Sequence, residues 1–551
     1  MLANVLGINA VFHDPAAAIV VDGRIVAAAE EERFSRRKHG KQAVPFSTWE
    51  LPERAIRFCL ERAGLRPEDL DAVAYSYDPA LAPPSTGDLT GDAWEGLRTL
   101  YAERADRFLT TALPGLSADV VRHVPHHVAH AASAYLAAPY DGTCSVMTLD
   151  GRGERQTFLA GRVRDGDLEV LASQELPHSL GLLYEALTEH LGFLRSSDEY
   201  KVMAMASYGE PRWIEQLRED VRVTDDGGFT APEDYDFSRF VPRWTPGDEI
   251  SRPHADLAAT VQTRLEEVLL DLANRLHERT GDRRLVMAGG IALNCVANSR
   301  LWREGPFEEI WVQPAAGDAG TALGGALHLA HQLGDRVQPM TTAALGSDFD
   351  DASIEAALRH ARVAYERPDD LAEVVAETLA ANGIVAWFQG AAEFGPRALG
   401  HRSLLCSPID PENTERLNVV KGREQFRPVA PMVHLDRAAE VFTDGPLPSP
   451  YMLFTHTVHN GWAERIPAAV HVDKSARAQT VDPVTEPLVA RMLAAFEART
   501  GVPVVINTSL NTAGRPIVDS PQDVLECFGS APIDLLAIGP FVVRRPDVVV
   551  A

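Results

Sequence analysis

The stretch VLGINAVFHDPAAAIVVDGRIVAAA, Val5–Ala29, holds two kinds of signal: apolar runs and one clear turn. VLGINA reads as a short buried strand. AAAIVV and RIVAAA flank Asp22-Gly23, a dipeptide that suits a two-residue hairpin because both central positions of that turn need positive φ. The chain to Ala29 therefore reads strand, turn, strand, turn, strand. The pattern returns further on. SVMTLD, Ser145–Asp150, is a strand, GRGER a turn and QTFLAGRV a second strand, and RDGD turns the chain into LEVLAS. Two such units predict a duplicated domain. In each, a polar turn follows the first strand, NAVFHD in one and DGRGE in the other, and backbone N–H groups in such turns can approach phosphate.

This duplicated hairpin resembles the actin/hexokinase/Hsp70 superfamily, in which two related lobes clasp a nucleotide. Beyond it, Asp256–Arg279 carries apolar residues at helical spacing. RLVMAGGIALNC and EEIWVQPAAGDAGTALGGALHLA each read strand, loop, helix, units that place ligands at the carboxyl ends of strands. The small polar segment TTAALGSDFDD, Thr341–Asp351, predicts a boundary between a first domain over 1–345 and a second α/β domain over 346–551. The second opens with helical SIEAALRHA and LAEVVAETLAANG and strand IVAWFQG, and holds the further strands VPVVIN and LLAIG.

Composition bounds the function. Of 551 residues 45% are hydrophobic and 24% charged, an ordinary soluble-globular mix. With 52 Lys and Arg against 78 Asp and Glu the net charge is −26, which argues against general binding to nucleic acid and suits a small or cationic partner. Cys59, Cys144, Cys295, Cys406 and Cys527 form no CxxC and read as reduced core residues of a cytosolic protein. His13, Asp14 and Pro15 interrupt the apolar N-terminus, which is neither a signal peptide nor a transmembrane span. The expectation is a cytoplasmic protein with no membrane partner.

Candidate sites fall into two groups. In VPHHVAHAASAY, His126 and His130 are four apart and share a helix face, a spacing that can chelate a transition metal or simply open a helix. Asp318, in a Gly-rich loop before a helix, is a plausible third ligand, and Asp150, at a strand end, is another inward carboxylate. Gly289 and Gly290 mark a close backbone approach or a tight turn. The second group is cationic: Arg397 and Arg402 in FQGAAEFGPRALGHRS, Lys421, Arg423 and Arg427 in LNVVKGREQFRP, and Lys474 and Arg477 in HVDKSARAQT. Guanidinium forks suit phosphates and carboxylates. Ser509, in INTSLN, adds a hydroxyl at a strand end. Solvated charge paired with Glu393, Glu415 and Glu424 is the alternative.

Taken together, FHDPAAA, EEERFSRRKH, HHVAHAASAY, LDGRGE, EYKVMAMASYG, AGGIALNC, GDAGTALGGA, EFGPRALGHRS, REQFRP, HVDKSARAQT and NTSLN resemble the NodU/CmcH family of O-carbamoyltransferases, one of whose members acts on the aminoglycoside tobramycin. HHVAH and GDAG also occur in the proteins that make threonylcarbamoyladenosine on tRNA. The resemblance implies a two-lobed actin-like (ASKHA) N-terminal domain and a YrdC-like α/β C-terminal domain. It implies an enzyme that uses carbamoyl phosphate and ATP, with Mg²⁺, to make a carbamoyl-adenylate in the C-terminal domain. The carbamoyl group then passes, in the N-terminal domain, to a hydroxyl of an acceptor, with release of AMP. His126, His130 and Asp318 become ligands of Fe²⁺, with Asp150 a ligand or a phosphate-side group and His127 a supporting residue. Lys201, Gly289, Gly290 and Asn294 would hold the adenylate, and His13 would take the acceptor proton. Arg397, Lys421, Arg423, Arg477 and Ser509 would bind carbamoyl phosphate and ATP.

The division is chemically sensible. AMP gives the carbamoyl carbon a leaving group whose developing charge needs cations, and a covered route between domains would protect the intermediate from water. The acidic chain favours a polycationic acceptor, such as an aminoglycoside used in antibiotic biosynthesis, with a cephem, a macrolide sugar or a nodulation oligosaccharide as the alternatives. Two other functions remain: a threonylcarbamoyl transferase acting on tRNA, which the charge of −26 disfavours, and an actin-like sugar kinase or nucleotide switch, which would release ADP.

Overall fold

The computed structural model describes residues 3–40, 50–83, 93–232, 234–245 and 251–545. The chain packs into two units, Met1–Ala343 and Ala344–Ala551. The division falls inside the small polar segment Thr341–Asp351.

In the first unit, β1 (Asn4–Asn9), β2 (Ala16–Val21) and β3 (Arg24–Glu30) form an antiparallel meander. β4 (Ala72–Tyr75) and β5 (Val121–His123) add in parallel on the other side of β1, so the order is β3-β2-β1-β4-β5. Asp22 and Gly23 take φ of 53° and 73°, the left-handed pair that the Asp-Gly hairpin predicts. A second sheet repeats the plan. β6 (Cys144–Leu149), β7 (Gln156–Arg164) and β8 (Asp167–Glu175) are antiparallel. β9 (Arg284–Ala288) and β10 (Glu309–Val312) lie parallel beside β6, in the order β10-β9-β6-β7-β8. β1 and β6 are buried along nearly their whole length and read as continuous apolar runs, as strands covered on both faces do.

Four helices matter for the site: α1 (His126–Tyr135), α2 (Glu199–Ala206), α3 (Arg252–Thr280) and α4 (Ala319–Gln332). α3 begins one turn earlier than the apolar spacing suggests, with Pro253 in its first turn, where a missing N–H costs nothing. α1 packs against α4 through small residues. Gly324 lies so near the Ala129 carbonyl that a β-carbon there would collide with it. The alanines of α1 and the glycines of GTALGGA are thus read as a close helix contact.

The second unit is built on a mixed sheet of seven strands: β11 (Val385–Phe388), β12 (Arg402–Cys406), β13 (Ala430–His434), β14 (Gln479–Val481), β15 (Val504–Ser509), β16 (Leu535–Ile538) and β17 (Phe541–Arg544). Their order is β14-β13-β15-β12-β11-β16-β17. Helices Asp351–Ala361 and Leu371–Ala380 open the unit, capped by the side chains of Asp350 and Asp370. Trp387 is fully buried in its core, with the indole N–H donating to the Gly400 carbonyl at 2.7 Å.

HVDKSARAQT is only partly a loop. Ser475–Ala476 and Gln479–Val481 are strand, because Ala476, Ala478 and Gln479 face the core. All five cysteines are buried. Among the described residues no helix is long and apolar enough to cross a membrane.

Candidate active site

The site in the first unit starts with the register of α1. Pro125 precedes the helix, and Glu154, in the turn after β6, accepts the first free helical N–H, that of His126, at 2.9 Å. That contact fixes the rotation of α1 and turns His126 and His130 inward. Both rings are fully buried, with their Nε2 atoms 3.2 Å apart. The His126 Nδ1–H donates to the Ser76 carbonyl at 3.1 Å, which leaves its Nε2 lone pair facing the site.

Two carboxylates complete the set. Asp150, directly after β6, turns Oδ2 to within 3.7 Å of His126 Nε2 and 3.9 Å of His130 Nε2. Its Oδ1 accepts the Gly290 N–H at 2.8 Å. Asp318, just before α4, has Oδ1 3.6 Å from both Nε2 atoms. Asp318 is 1% exposed, and neither of its oxygens receives a hydrogen bond. A buried carboxylate left so is expensive unless a cation sits against it. The four donor atoms lie within 4.8 Å of one another. Ligand bonds of about 2.0–2.2 Å in a tetrahedron require donor separations of roughly 3.3–3.6 Å, close to those seen. The residues therefore fit a divalent transition metal.

The electrostatics agree. Burial pulls the His126 imidazole down, but Asp318 and Asp150 outweigh it and hold it well above its usual value. Burial and the nearby Asp318 push Asp150 up, and His126 and His130 outweigh them, leaving it at about 2. The cage attracts positive charge, whether protons or a metal. His127 differs. Burial, then the charges of His126 and His130, bring it down to about 3, so it is neutral at ordinary pH and neither ring nitrogen has a hydrogen-bond partner. It packs against Gly153 in the turn after β6.

His13 joins the same site, its Nε2 3.7 Å from Asp318 Oδ2. Gly289, at φ 91°, passes so close to the Leu149 carbonyl that no side chain fits, and this delivers the Gly290 N–H to Asp150. Gly289 thus makes the tight strand-to-helix turn, packed against the protein's own backbone. Asn294 accepts from Ala297 N–H to cap the next helix and donates to Gln262 on α3 at 2.9 Å. Lys201, on α2, pairs with Asp198 at 3.1 Å and lies over the Phe193 ring.

In the second unit, hydrogen bonds tie three of the segments that carry the predicted cations to the end of β15. Asn507 donates to the Ala398 carbonyl at 3.0 Å and to Gln479 Oε1 at 2.7 Å, tying the loops of Arg397 and Arg477 to the end of β15. Lys421 Nζ donates to Ser509 Oγ at 2.9 Å and to Asn511. Arg423 Nε bonds the Asn418 side chain at 2.5 Å. The Arg477 Nε is buried without a hydrogen-bond partner. Arg402 does not belong with these. It lies on β12, fully buried, stacked 3.8 Å over Phe388, and donates to the carbonyls of Gln389, Gly390 and Ser347. Glu393 is not a surface counter-charge either, since it accepts the N–H groups of Leu399, His401 and Arg402.

The reading of the residues passed over Asp14, His39 and Ser197, which the fold brings to His13, and Glu154, which sets α1. The adjacency of Asp14 to His13 was the available signal; the others depend on contacts between distant segments.

Comparison with known proteins follows the same division. The family described as "Carbamoyltransferase N-terminus" matches residues 4–81 and 109–327, and "Carbamoyltransferase C-terminus" matches 376–545. An uncharacterized Synechocystis protein, sll1178, is 36% identical over 99% of this chain and 97% of its own. The nodulation protein NolNO of Sinorhizobium fredii is 36% identical over 98% of this chain and 80% of its own, and nodulation protein U of the same species 29% over 91% and 93%. Component A of the Acidaminococcus fermentans (R)-2-hydroxyglutaryl-CoA dehydratase aligns with 60% of this chain and 98% of its own, at 15% identity and a TM-score of 0.35. Full-length HypF aligns with 61% and 56%, at 16% identity and a TM-score of 0.35.

Proposed function

The chain belongs to the carbamoyltransferase family, and from that premise we propose that it is an ATP-dependent O-carbamoyltransferase working through a carbamoyl-adenylate. The observation that carries the reading is that each half of the family is present with its own charged segments: a buried His/Asp cage in the first unit and, in the second, cation-bearing segments tied to the end of β15.

In this reading the second unit, of YrdC-like type, makes the adenylate. Water hydrolyses carbamoyl phosphate to carbamate and phosphate, and the carbamate oxygen attacks the α-phosphate of ATP, with Mg²⁺, expelling pyrophosphate. Arg397, Lys421, Arg423 and Arg477 are the groups to bind the anionic substrates and offset the charge that develops on the leaving groups. Ser509 orients the Lys421 ammonium.

The first unit, of actin-like type, transfers the carbamoyl group. The acceptor hydroxyl attacks the carbamoyl carbon, the bond to AMP breaks, and His13 takes the hydroxyl proton at Nε2. Lys201, Gly289, Gly290 and Asn294 are the groups to hold the adenylate. His126, His130, Asp318 and Asp150 would hold Fe²⁺, which when bound supplies Lewis acidity to a phosphate or acyl oxygen. The acceptor we favour is polycationic, an aminoglycoside, because the chain carries a net charge of −26. We place the protein in the cytoplasm.

The test is product analysis with ATP, Mg²⁺ and carbamoyl phosphate, with and without tobramycin. AMP and pyrophosphate that depend on carbamoyl phosphate support the adenylating chemistry, and a carbamoylated aminoglycoside supports the acceptor. ADP, or no dependence on carbamoyl phosphate, overturns the reading in favour of a kinase or nucleotide switch.

A further inference from the structure

Four side chains from three separate segments of the first unit form a continuous line ending at the cage. His13 Nδ1 is 2.9 Å from Asp14 Oδ2. Asp14 Oδ1 is 2.8 Å from His39 Nδ1, and His39 Nε2 is 2.7 Å from Ser197 Oγ. A carboxylate only accepts, so both Nδ1 atoms donate to Asp14. With each ring neutral, Nε2 is then left as an acceptor. That of His39 takes the Ser197 hydroxyl, and that of His13 is presented toward Asp318.

The backbone is bent to make this line. Asp14 and His39 both sit in the left-handed region, at φ 49° and 61°, as does Ser196 beside Ser197, at 57°. Non-glycine residues rarely adopt it, and such strain gathers where function fixes geometry. Asn9 holds the first of these turns, its Nδ2 donating to the carbonyls of both His13 and Asp14 at 2.9 Å. The His39 N–H donates to Glu32 at 2.7 Å, which holds the second.

We propose that Asp14, held in turn by His39 and Ser197, is the positioning residue that fixes the tautomer and ring orientation of His13, so that His13 Nε2 is free to accept the proton of the acceptor hydroxyl. Asp14 sets the nitrogen that carries the proton, and the His39–Ser197 pair sets Asp14. The role given to His13 rests on the reading above; the tautomer does not. Asp14, Glu32 and His39 also bring three potential metal ligands together, but the Asp14 and His39 atoms that face each other are already bonded.

The direct test is the side-chain ¹⁵N spectrum of full-length, ¹⁵N-histidine-labelled, Zn²⁺-loaded protein, at a pH of about 9 where an ordinary imidazole is neutral. His13 is assigned by comparison with His13→Gln. The wild type should carry its proton on Nδ1. Asp14→Asn should move it to Nε2, His39→Phe should give a mixture, and His39→Gln should restore the wild-type state. Transfer by Asp14→Asn should fall by about 10²–10⁴ in kcat, the scale on which a wrong histidine tautomer costs a general base, with the acceptor KM and carbamoyl-adenylate formation unchanged. A proton that stays on Nδ1 in Asp14→Asn overturns the proposal, as does a second bound ion per chain that is lost in His39→Gln. If the wild type makes no carbamoyl-phosphate-dependent AMP, the functional reading fails while the tautomer result still decides this one.

Discussion

His126 Nδ1 lies 3.1 Å from the carbonyl oxygen of Ser76, and that contact decides which face of the ring the cage sees. The carbonyl can only accept, so Nδ1 carries a proton and Nε2 is the nitrogen left to bind a metal. Ser76 follows β4, and its Oγ accepts from Thr321 in the first turn of α4 at 2.8 Å. The orientation of a ligand on α1 is therefore set by β4 and α4, not by its own helix.

Asp318→Asn should abolish stoichiometric metal binding, because Asn offers one neutral oxygen where a charged one faces two imidazoles. Elemental analysis after dialysis reads the loss directly. Metal at 100 times its Kd should stabilise the wild type by about 2.7 kcal/mol, and the thermal shift on adding metal should vanish in the variant. Unchanged metal content would remove Asp318 from the ligand set.

The two half-reactions should separate by mutation. His13→Asn should keep carbamoyl-phosphate-dependent pyrophosphate release and carbamoyl-adenylate formation and lose transfer. Arg477→Ala should lose adenylation yet still use supplied carbamoyl-adenylate. A variant of either kind that loses both steps while remaining folded would refute the two-site assignment.

Arg402→Ala should act on stability. It strips a buried guanidinium from three carbonyls and leaves a gap over Phe388. A loss of about 3 kcal/mol is expected, read by denaturant unfolding of the second unit. Wild-type stability with lost ATP affinity would return Arg402 to the substrate-binding group.

Glu199, at the start of α2, gives a pH signature. Burial and the neighbouring Glu185 push its carboxyl from 4.5 up to about 7. The folded state thus binds a proton that the unfolded chain has released, and the stability this proton supplies is full below about 4.5 and lost as pH rises through 7. Glu199→Gln should flatten the fall in Tm between those values relative to wild type. An identical slope in both proteins would show that Glu199 titrates normally.

Much of this is legible in the sequence. Asp22-Gly23 dictates a turn by local sterics, and the four-residue spacing of His126 and His130 dictates a shared helix face. Both are local properties. Arg402 was misread because an arginine five residues from Arg397 looks the same in sequence whether it ends a loop or starts a strand; only the carbonyls gathered around it tell. His39 and Ser197 meet across 158 positions, and Glu154 caps a helix that precedes it in the chain. No periodicity encodes such contacts.

The repeated strand order has a consequence for how the cage is shared. His13 follows β1 and Asp150 follows β6, which are counterparts in the two sheets. His126 and His130 follow β5, and Asp318 follows β10, again counterparts. The cage thus draws on the same two topological stations of each half, with imidazoles from one and carboxylates from the other. The repeated strand order relates the contributors while their chemistry sets them apart. Neither half alone holds a complete set, so an ion in this cage reports that both halves are folded and in register.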